Sequence, residues 1–318
     1  MAFTLLAACG TEIPDTAQCD GTAEVLYRGH VWSANLAVAD GTVYFTTFDD
    51  STSNDPHTVM AISTTCGARA RTVWNTGSQQ LFGSGMAVRG GRVIWAQSEA
   101  ETGPMGIYAS PTTGGAPTLI GEIAHVAYYA SFAADDDAVY TADGQNIMRI
   151  ALDGSGAAAI GTPIPTDEEL DWIEMRDTSL YYATALASTY VLYTLDTVSG
   201  TVTSFAAPTD YRGGQFDVDD TQFYLPTASG IELVDFSGTA HGHITSGGTD
   251  WTTVIRGPDG FYGSDGEGVL ARMAFDGSTV ETLQPPTTGT PTLVTDGTAV
   301  YATTCCADVY ELPAAAQP

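Results

Sequence analysis

Short runs in which apolar and polar residues alternate recur along the whole chain, and they predict β-strands. Each run follows a turn that contains Asp or Gly, as in "ADGTVYFTT" at 39–47. β-branched and aromatic residues fill the apolar positions, and Asp-Gly or Ser-Gly pairs separate one run from the next. No stretch shows the 3.6-residue period of an amphipathic helix. The pattern therefore predicts an all-β protein built from hairpins.

One strand-like phrase occurs seven times along the chain. Its central residues, 38 to 50 positions apart, are Tyr44, Ile94, Tyr140, Tyr181, Tyr224, Tyr262 and Tyr301. A third strand follows each phrase, as at 147–156, and then a turn and a short fourth strand, as at 280–284. Four short strands in a unit of about 40–45 residues are typical of a propeller blade. The repeats predict a seven-bladed β-propeller with four-stranded antiparallel blades.

The two ends of the repeat region complement each other. The seventh copy supplies three strands, the last at 308–313, and lacks a fourth. A strand-like stretch at 22–29 precedes the first copy and belongs to no complete unit. Pairing that stretch with the last blade removes two exposed sheet edges at once. We therefore expect the N-terminal strand to close the last blade.

The repeats resemble those of YWTD-type and related extracytoplasmic bacterial propellers. The resemblance lies in "VYFTT" at 43–47 and in the Asp-Gly turn after the third strand, as at 153–154. It covers nearly the whole chain, although YWTD propellers commonly have six blades and seven are counted here. It implies an architecture and no activity, because propellers of this kind bind proteins, bind small molecules or catalyse reactions.

The N-terminus carries a second resemblance. Leu6-Ala7-Ala8-Cys9 resembles the lipobox of bacterial lipoproteins, which implies cleavage before Cys9, lipidation of Cys9, and a place in the bacterial cell envelope, periplasmic or surface-exposed. The stretch before it has no basic residue and is shorter than a signal sequence, which an earlier start site would explain. We expect a signal remnant at 1–8, a tether at 9–20, the propeller at 21–314 and a tail at 315–318. The alternative is a soluble protein with an incidental cysteine.

The charge of the chain excludes several classes of partner. It has 38 acidic residues against ten basic ones, and its net charge is −28. Such a surface repels nucleic acid and anionic lipid, so the only membrane contact expected is through the lipid anchor. All ten basic residues are arginine, and without lysine no Schiff-base chemistry is available.

One face of a propeller carries the loops that enter each first strand and those that join strands two and three. Histidines, acidic residues and aromatics are predicted on that face, together with a cysteine pair in the last blade. The candidate ligand-binding residues are His30, Trp32, Asp49, Asp50, His57, His125, Trp251, Cys305 and Cys306. The aromatic residues could stack on a ligand or could pack in the core between neighbouring blades. We favour the core role, because large aromatic side chains are mostly buried. His241 and His243 lie in a predicted fourth strand and are expected to be structural.

Four cysteines remain if Cys9 carries lipid, and an even number in an exported protein indicates disulfides. We hypothesise a Cys19–Cys66 bond at the closure of the ring and a bond between the adjacent Cys305 and Cys306. The adjacent pair has two alternatives: a soft-metal site with His30 and His57, or a staple that only closes the ring. Adjacent cysteines chelate poorly, which makes the metal site the weakest of the three.

Motifs for catalysis or cofactors are not found in the sequence. It contains no GxSxG, phosphate loop or HExxH, and no cofactor is predicted. Acidic runs at 134–138 and 217–220 coincide with predicted turns, which favours turn residues over calcium ligands. We expect a binding or scaffold module for a small molecule, a glycan or an envelope protein. The alternative is a lyase or hydrolase that uses His30, His57 or His125 as its base.

Overall fold

The chain folds as a ring of β-sheets. The computed structural model describes residues 24–47, 58–65, 67–75, 85–97, 104–124, 132–186, 189–246, 249–283, 291–303 and 307–314, and for residues 24, 28–34 and 307 it describes the backbone alone. These residues form 27 strands and contain no helix, and therefore none that could cross a membrane.

The strands are short apart from the first. In chain order they are β1 (Glu24–Ala39), β2 (Thr42–Thr47), β3 (Thr58–Ser63), β4 (Arg71–Asn75), β5 (Met86–Arg89), β6 (Arg92–Gln97), β7 (Met105–Pro111), β8 (Thr118–Ile123), β9 (Ala133–Ala134), β10 (Ala138–Asp143), β11 (Asn146–Ala151), β12 (Ala157–Ile160), β13 (Glu169–Arg176), β14 (Ser179–Leu186), β15 (Thr189–Asp196), β16 (Val202–Ala206), β17 (Asp217–Val218), β18 (Gln222–Thr227), β19 (Gly230–Asp235), β20 (Ala240–Thr245), β21 (Trp251–Arg256), β22 (Phe261–Asp265), β23 (Leu270–Met273), β24 (Val280–Thr282), β25 (Thr292–Thr295), β26 (Val300–Thr303) and β27 (Ala307–Leu312).

Seven blades follow from the pairing of these strands. Blades two to six are four-stranded antiparallel sheets that take the strands in chain order: β5–β8, β9–β12, β13–β16, β17–β20 and β21–β24. Blades one and seven share β1 and form one continuous sheet in the order β25-β26-β27-β1-β2-β3-β4. The predicted seven-bladed propeller with four-stranded antiparallel blades is confirmed.

The closure of the ring is made by β1. Its first half pairs with β27, with Val25 opposite Tyr310, and its second half pairs with β2, with Leu36 opposite Phe45. The N-terminal strand therefore closes the last blade, as the sequence predicts. It also continues without a break into the first strand of blade one, whereas the sequence suggested two separate strands.

Each second strand is buried on both of its faces, because every blade is packed between two neighbours. In β2 the four central residues, 43–46, are all buried, and the same holds for β10 and β18. The outermost strands β12, β20 and β24 are mostly exposed. The core is therefore divided among the contacts between blades. One of its clusters combines Leu26 and Phe45 with Tyr301 and so spans the closure.

A repeated pair of Asp and Tyr explains the acidic turns. One carboxylate oxygen of the Asp accepts backbone N–H groups in the turn between strands one and two, and the other accepts the Tyr hydroxyl five residues further on. The pairs are Asp135–Tyr140, Asp219–Tyr224 and Asp296–Tyr301, with Oδ2 to hydroxyl distances of 2.7, 2.6 and 3.3 Å. Buried hydroxyls need such partners. Asp135 and Asp219 thus fix turns, as expected for the acidic runs, whereas Asp217, which the sequence also assigned to a turn, is buried in β17.

The closure makes a prediction about stability. Leu26 is fully buried in β1 between blades one and seven, so Leu26→Ala leaves a cavity there. We expect the free energy of unfolding to fall by about 2–5 kcal/mol, measured by chemical denaturation. Val198→Ala is the control, because Val198 is 81% exposed, and its effect should stay within about 0.5 kcal/mol. Equal effects of the two substitutions would contradict closure by β1.

Candidate functional site

A central channel runs between the innermost strands of the blades. All seven blades contribute residues to its wall, and the cavity has a volume of about 410 Å³. Pockets of 300–1,000 Å³ with a few polar groups are typical of small-molecule sites. The channel is therefore the candidate functional site, and its chemistry depends on the few charged side chains that it contains.

Three arginines stand at equivalent positions of the wall. Arg89, Arg176 and Arg256 are the last residues of β5, β13 and β21, the innermost strands of blades two, four and six. Arg89 Nε donates to the Ala134 carbonyl at 3.1 Å. Arg176 Nη1 and Arg256 Nη2 both donate to the Val218 carbonyl, at 2.8 and 2.9 Å. Each arginine thus bonds to the backbone of an adjacent blade and holds the inner strands together.

Arg256 also neutralises two aspartates of blade five. Its Nη2 lies 3.4 Å from Asp217 Oδ1, its Nη1 lies 3.1 Å from Asp219 Oδ2, and its backbone N–H donates to Asp217 Oδ2. Burial raises the pKa of Asp217, although the charge and hydrogen bonds of Arg256 work against that shift. Burial also acts to raise the pKa of Asp219, but hydrogen bonds from Tyr224, from Thr221 and from the backbone outweigh it and lower the value to about 2.

Glu174, in the middle of β13, is the carboxyl group of the channel without a partner. Among the described residues no group donates a hydrogen bond to it or forms an ion pair with it. Burial raises its pKa well above the ordinary range, and the negative charge of Asp217 adds to the effect, while Arg176 and Arg256 oppose it. Carboxyl groups perturbed in this way inside a cavity are typical of functional sites.

A second unpartnered polar group lies two residues away on the same strand. Trp172 also lines the channel, and its indole N–H is buried without a hydrogen-bond partner. Residues two apart on a strand share a face, so Trp172 and Glu174 lie on one side of β13. An unsatisfied buried N–H is costly. The N–H is shielded from solvent, so what the site offers to a ligand is the carboxyl group of Glu174, which the described residues do not satisfy, beside the side chain of Trp172.

Gln215 keeps this part of the channel in place. Its side-chain amide donates to the Leu293 carbonyl at 2.7 Å and accepts from the Leu293 N–H at 3.1 Å. Its backbone carbonyl accepts from Val254 N–H at 2.9 Å. Gln215 thereby joins blade five to blades six and seven across the channel wall, so the site is held by several blades rather than by one loop.

Trp251 is the candidate ligand residue whose side chain is described. It begins β21, is 0% exposed, and packs with Tyr224 and Phe261 between blades five and six. Gly263 leaves room for it, since a Cβ there would lie 2.2 Å from the indole ring. Trp251 is therefore part of the core, and no face of its ring is open to a ligand.

The other candidates lie outside the described residues in whole or in part. Of His30 and Trp32 the backbone in β1 is described, whereas Asp49, Asp50, His57, His125, Cys305 and Cys306 are outside, and so are Cys9, Cys19 and Cys66. The backbone of Val31 pairs with both Thr47 and Ala307. Thr47 is the last described residue before Asp49, Asp50 and His57, and Ala307 is the first described residue after the cysteine pair. The convergence of these side chains, the lipidation and both disulfides stay predictions.

Sequence reasoning missed the charged residues of the channel. One signal was present, because an Arg directly precedes the turn in "VRGG" at 88–91, "MRDT" at 175–178 and "IRGP" at 255–258. Glu174 and Asp217 carry no comparable signal, because no local motif sets them apart from the other acidic residues among the 38 in the chain. Only their position in the ring distinguishes them.

The ion pair of the channel predicts a pH-dependent stability effect. Arg256→Met leaves the buried Asp217 without its counter-charge, so we expect a loss of about 3–5 kcal/mol in unfolding free energy at pH 7. A raised folded-state pKa means that Asp217 stabilises the fold when protonated, and its cost appears as the pH rises through that pKa. The loss should therefore be smaller at pH 4.

Denaturant titrations at the two pH values measure this effect. Arg212→Met is the control, because Arg212 and Asp250 form an exposed pair, worth at most about 1 kcal/mol. A loss of the same size at both pH values would show that Asp217 does not depend on Arg256.

Comparisons with known proteins show the fold and nothing finer. No protein-family model matches the chain, and no curated protein is significantly similar to it. BamB from Moraxella catarrhalis is 15% identical with a TM-score of 0.56, over 95% of this chain and 92% of that one. The Pan2 WD40 domain from Neurospora crassa is 12% identical with a TM-score of 0.60, over 91% of both chains. A chain of a nidogen/laminin complex is 14% identical with a TM-score of 0.50, over 81% of this chain and 92% of that one. The chain shares the β-propeller architecture with these proteins.

Proposed function

We propose that this chain is a binding module that takes a small polyhydroxylated ligand, such as a sugar, into its central channel. The observation that carries the proposal is the unpartnered carboxyl group of Glu174 beside Trp172. Both residues line a cavity of about 410 Å³, and the described residues give the carboxyl group no hydrogen bond. A ligand hydroxyl would supply one.

The mixture of groups favours a neutral ligand with hydroxyl groups. A ligand hydroxyl donates to the carboxyl group of Glu174 when that group is ionised and accepts from it when it is protonated, which a simple cation or anion cannot do. Arg176, Arg256 and Asp217 place both signs of charge beside Glu174. A fully charged ligand would therefore meet repulsion from one sign or the other.

Glu174 also costs the free protein stability, which supports a functional role. Its pKa is raised in the folded state, so the ionised form is less favourable there than in the unfolded chain. A carboxyl group that is perturbed and destabilising inside a cavity is a feature of functional sites, where activity is gained at the expense of stability. A side chain kept only for stability would have a partner.

The cellular setting is proposed from the sequence. Leu6-Ala7-Ala8-Cys9 supports a lipid-anchored protein of the bacterial cell envelope, where disulfides are stable. The likeness to BamB at 15% identity concerns the fold and adds no support for the anchor.

The anchor is tested by expressing the chain behind a full signal sequence. Wild type should stay with membranes and Cys9→Ala should be released, whereas equal partitioning would argue against lipidation.

The same measurements distinguish the binding module from two other functions, a scaffold and an enzyme. A scaffold for an envelope protein would bind no small ligand in the channel. A lyase or hydrolase with His30, His57 or His125 as its base would place that histidine beside a carboxylate, and all three side chains lie outside the described ones. The channel proposal is preferred because the carboxyl group that carries it, that of Glu174, is among the described side chains.

The binding proposal is tested by thermal shift with a panel of sugars and oligosaccharides, together with amino acids, metals and common cofactors. A ligand at a hundredfold excess over Kd adds about 2.7 kcal/mol of stability, and we expect a sugar to produce such a shift. Glu174→Gln should abolish it. Glu267→Gln, at an exposed carboxylate, should not. A panel without a hit would favour a protein partner instead.

The stability cost of Glu174 gives a separate prediction on the free protein. Glu174→Gln removes a group that is unfavourable when ionised, so the variant should be more stable than wild type at pH 8. The difference should shrink at pH 4, where wild-type Glu174 is protonated. Melting curves at the two pH values measure it, and a variant less stable at pH 8 would mean that Glu174 has a stabilising partner.

A further inference from the structure

Three side chains on the outer part of blade five form a continuous hydrogen-bonded chain. Ser229 Oγ lies 3.2 Å from His243 Nε2, and His243 Nδ1 lies 2.8 Å from Glu232 Oε2. This is the order of a nucleophile, a general base and an orienting carboxylate. It involves none of the channel residues.

The fold fixes each member from a different segment. Glu232 in β19 and His243 in β20 are directly opposite in the strand register. Ser229 lies in the turn between β18 and β19, and its carbonyl accepts from Ser246 N–H at 3.0 Å. Gly230, with a φ of +150°, allows the turn to pack this closely, because a Cβ there would lie 1.9 Å from the Ile244 carbonyl oxygen.

The carboxylate determines which imidazole nitrogen carries the proton. Glu232 can only accept, so in neutral His243 the proton is on Nδ1, and Nε2 has a free lone pair. The Ser229 hydroxyl therefore donates to Nε2, as a general base requires. The side chain of His243 is 30% exposed and that of Glu232 is 19% exposed, so the base is accessible while its carboxylate is more shielded.

A second set of the same residue types on this blade has a different order. Asp235 stands in the middle, accepting from Ser237 Oγ at 2.6 Å through Oδ1 and contacting His241 Nε2 at 2.7 Å through Oδ2. The Ser237 hydroxyl thus faces a carboxylate instead of an imidazole. Ser237 is a matched control for Ser229, because it is also exposed but its hydroxyl bonds to no histidine.

We propose that Ser229 is the nucleophile of an acyl-transfer site, with His243 as general base and Glu232 as a positioning residue, and that its substrates are esters of small acyl groups. Ser229 lies in the turn between strands two and three of blade five. By the order of the strands, this turn is at the same end of the ring as the start of β21. The site is open to solvent, which suits an ester carried on a larger molecule.

The reaction balances without any further reagent except water. Ser229 Oγ bonds to the carbonyl carbon of the ester as its proton passes to His243 Nε2. The bond from that carbon to the alcohol oxygen then breaks, and the alcohol leaves with the proton. Water next attacks the acyl-serine, gives a proton to Nε2, and releases the acid as the proton returns to Oγ.

The experiment uses the full chain, a fluorophosphonate probe and p-nitrophenyl acetate. We expect one probe per chain, mapped to Ser229 by peptide mass spectrometry, and catalysed release of p-nitrophenol. Ser229→Ala should abolish both, whereas Ser237→Ala should leave both unchanged. His243→Gln should lower kcat by about 10²–10⁴-fold.

Glu232 has its own readout. Glu232→Gln should lower kcat and the rate of probe labelling while KM and the melting temperature stay the same, a split that a purely structural role would not produce. Failure of wild type to be labelled under conditions that label a known serine esterase would overturn the proposal, and so would equal labelling of Ser229→Ala. Neither result bears on sugar binding in the channel, which is measured separately.

Discussion

Backbone pairing between β1 and β27 holds the first blade to the last, and the other contacts of the ring depend on it. Each blade buries both faces of its second strand against its neighbours, so an open ring would leave two such faces in water. The cluster of Leu26, Phe45 and Tyr301 shows what closure protects. Because β1 runs without a break through both blades, the closure is covalent on one side and hydrogen-bonded on the other.

The channel exists because the ring is closed. Some of its polar groups bond to neighbouring blades, and others have no partner among the described residues. Arg89, Arg176 and Arg256 bond to the backbone of adjacent blades, so most of the positive charge in the wall serves cohesion. Glu174 and Trp172 have no such use. Both residues line a cavity whose size suits a small ligand, and the carboxyl group of Glu174 has no partner among the described residues, which is why the binding proposal rests on Glu174 rather than on the arginines.

The outer strands follow a different logic. The fourth strand of blade five, β20, is mostly exposed, so its side chains can bond with polar side chains of β19 and of the adjoining turns. On β19 and β20 this freedom produces two arrangements of Ser, His and carboxylate, of which one places the imidazole between its partners and the other the carboxylate. From the sequence, His241 and His243 were both expected to be structural. In the structure only His243 lies between a serine and a carboxylate, which is the order that acyl transfer requires.

The sequence by itself determined the blades, their number and the closing strand, because alternation of apolar and polar residues and turn residues such as Asp-Gly are local and repeat with every blade. It also identified the acidic turns, since Asp219 acts on groups within five residues of itself. The tertiary structure alone decided what meets in the channel and on blade five. Glu174 and Asp217 lie 43 residues apart and come together only when blades four and five pack. Burial and neighbouring charge, which set their chemistry, are properties of the closed ring and leave no mark in local sequence.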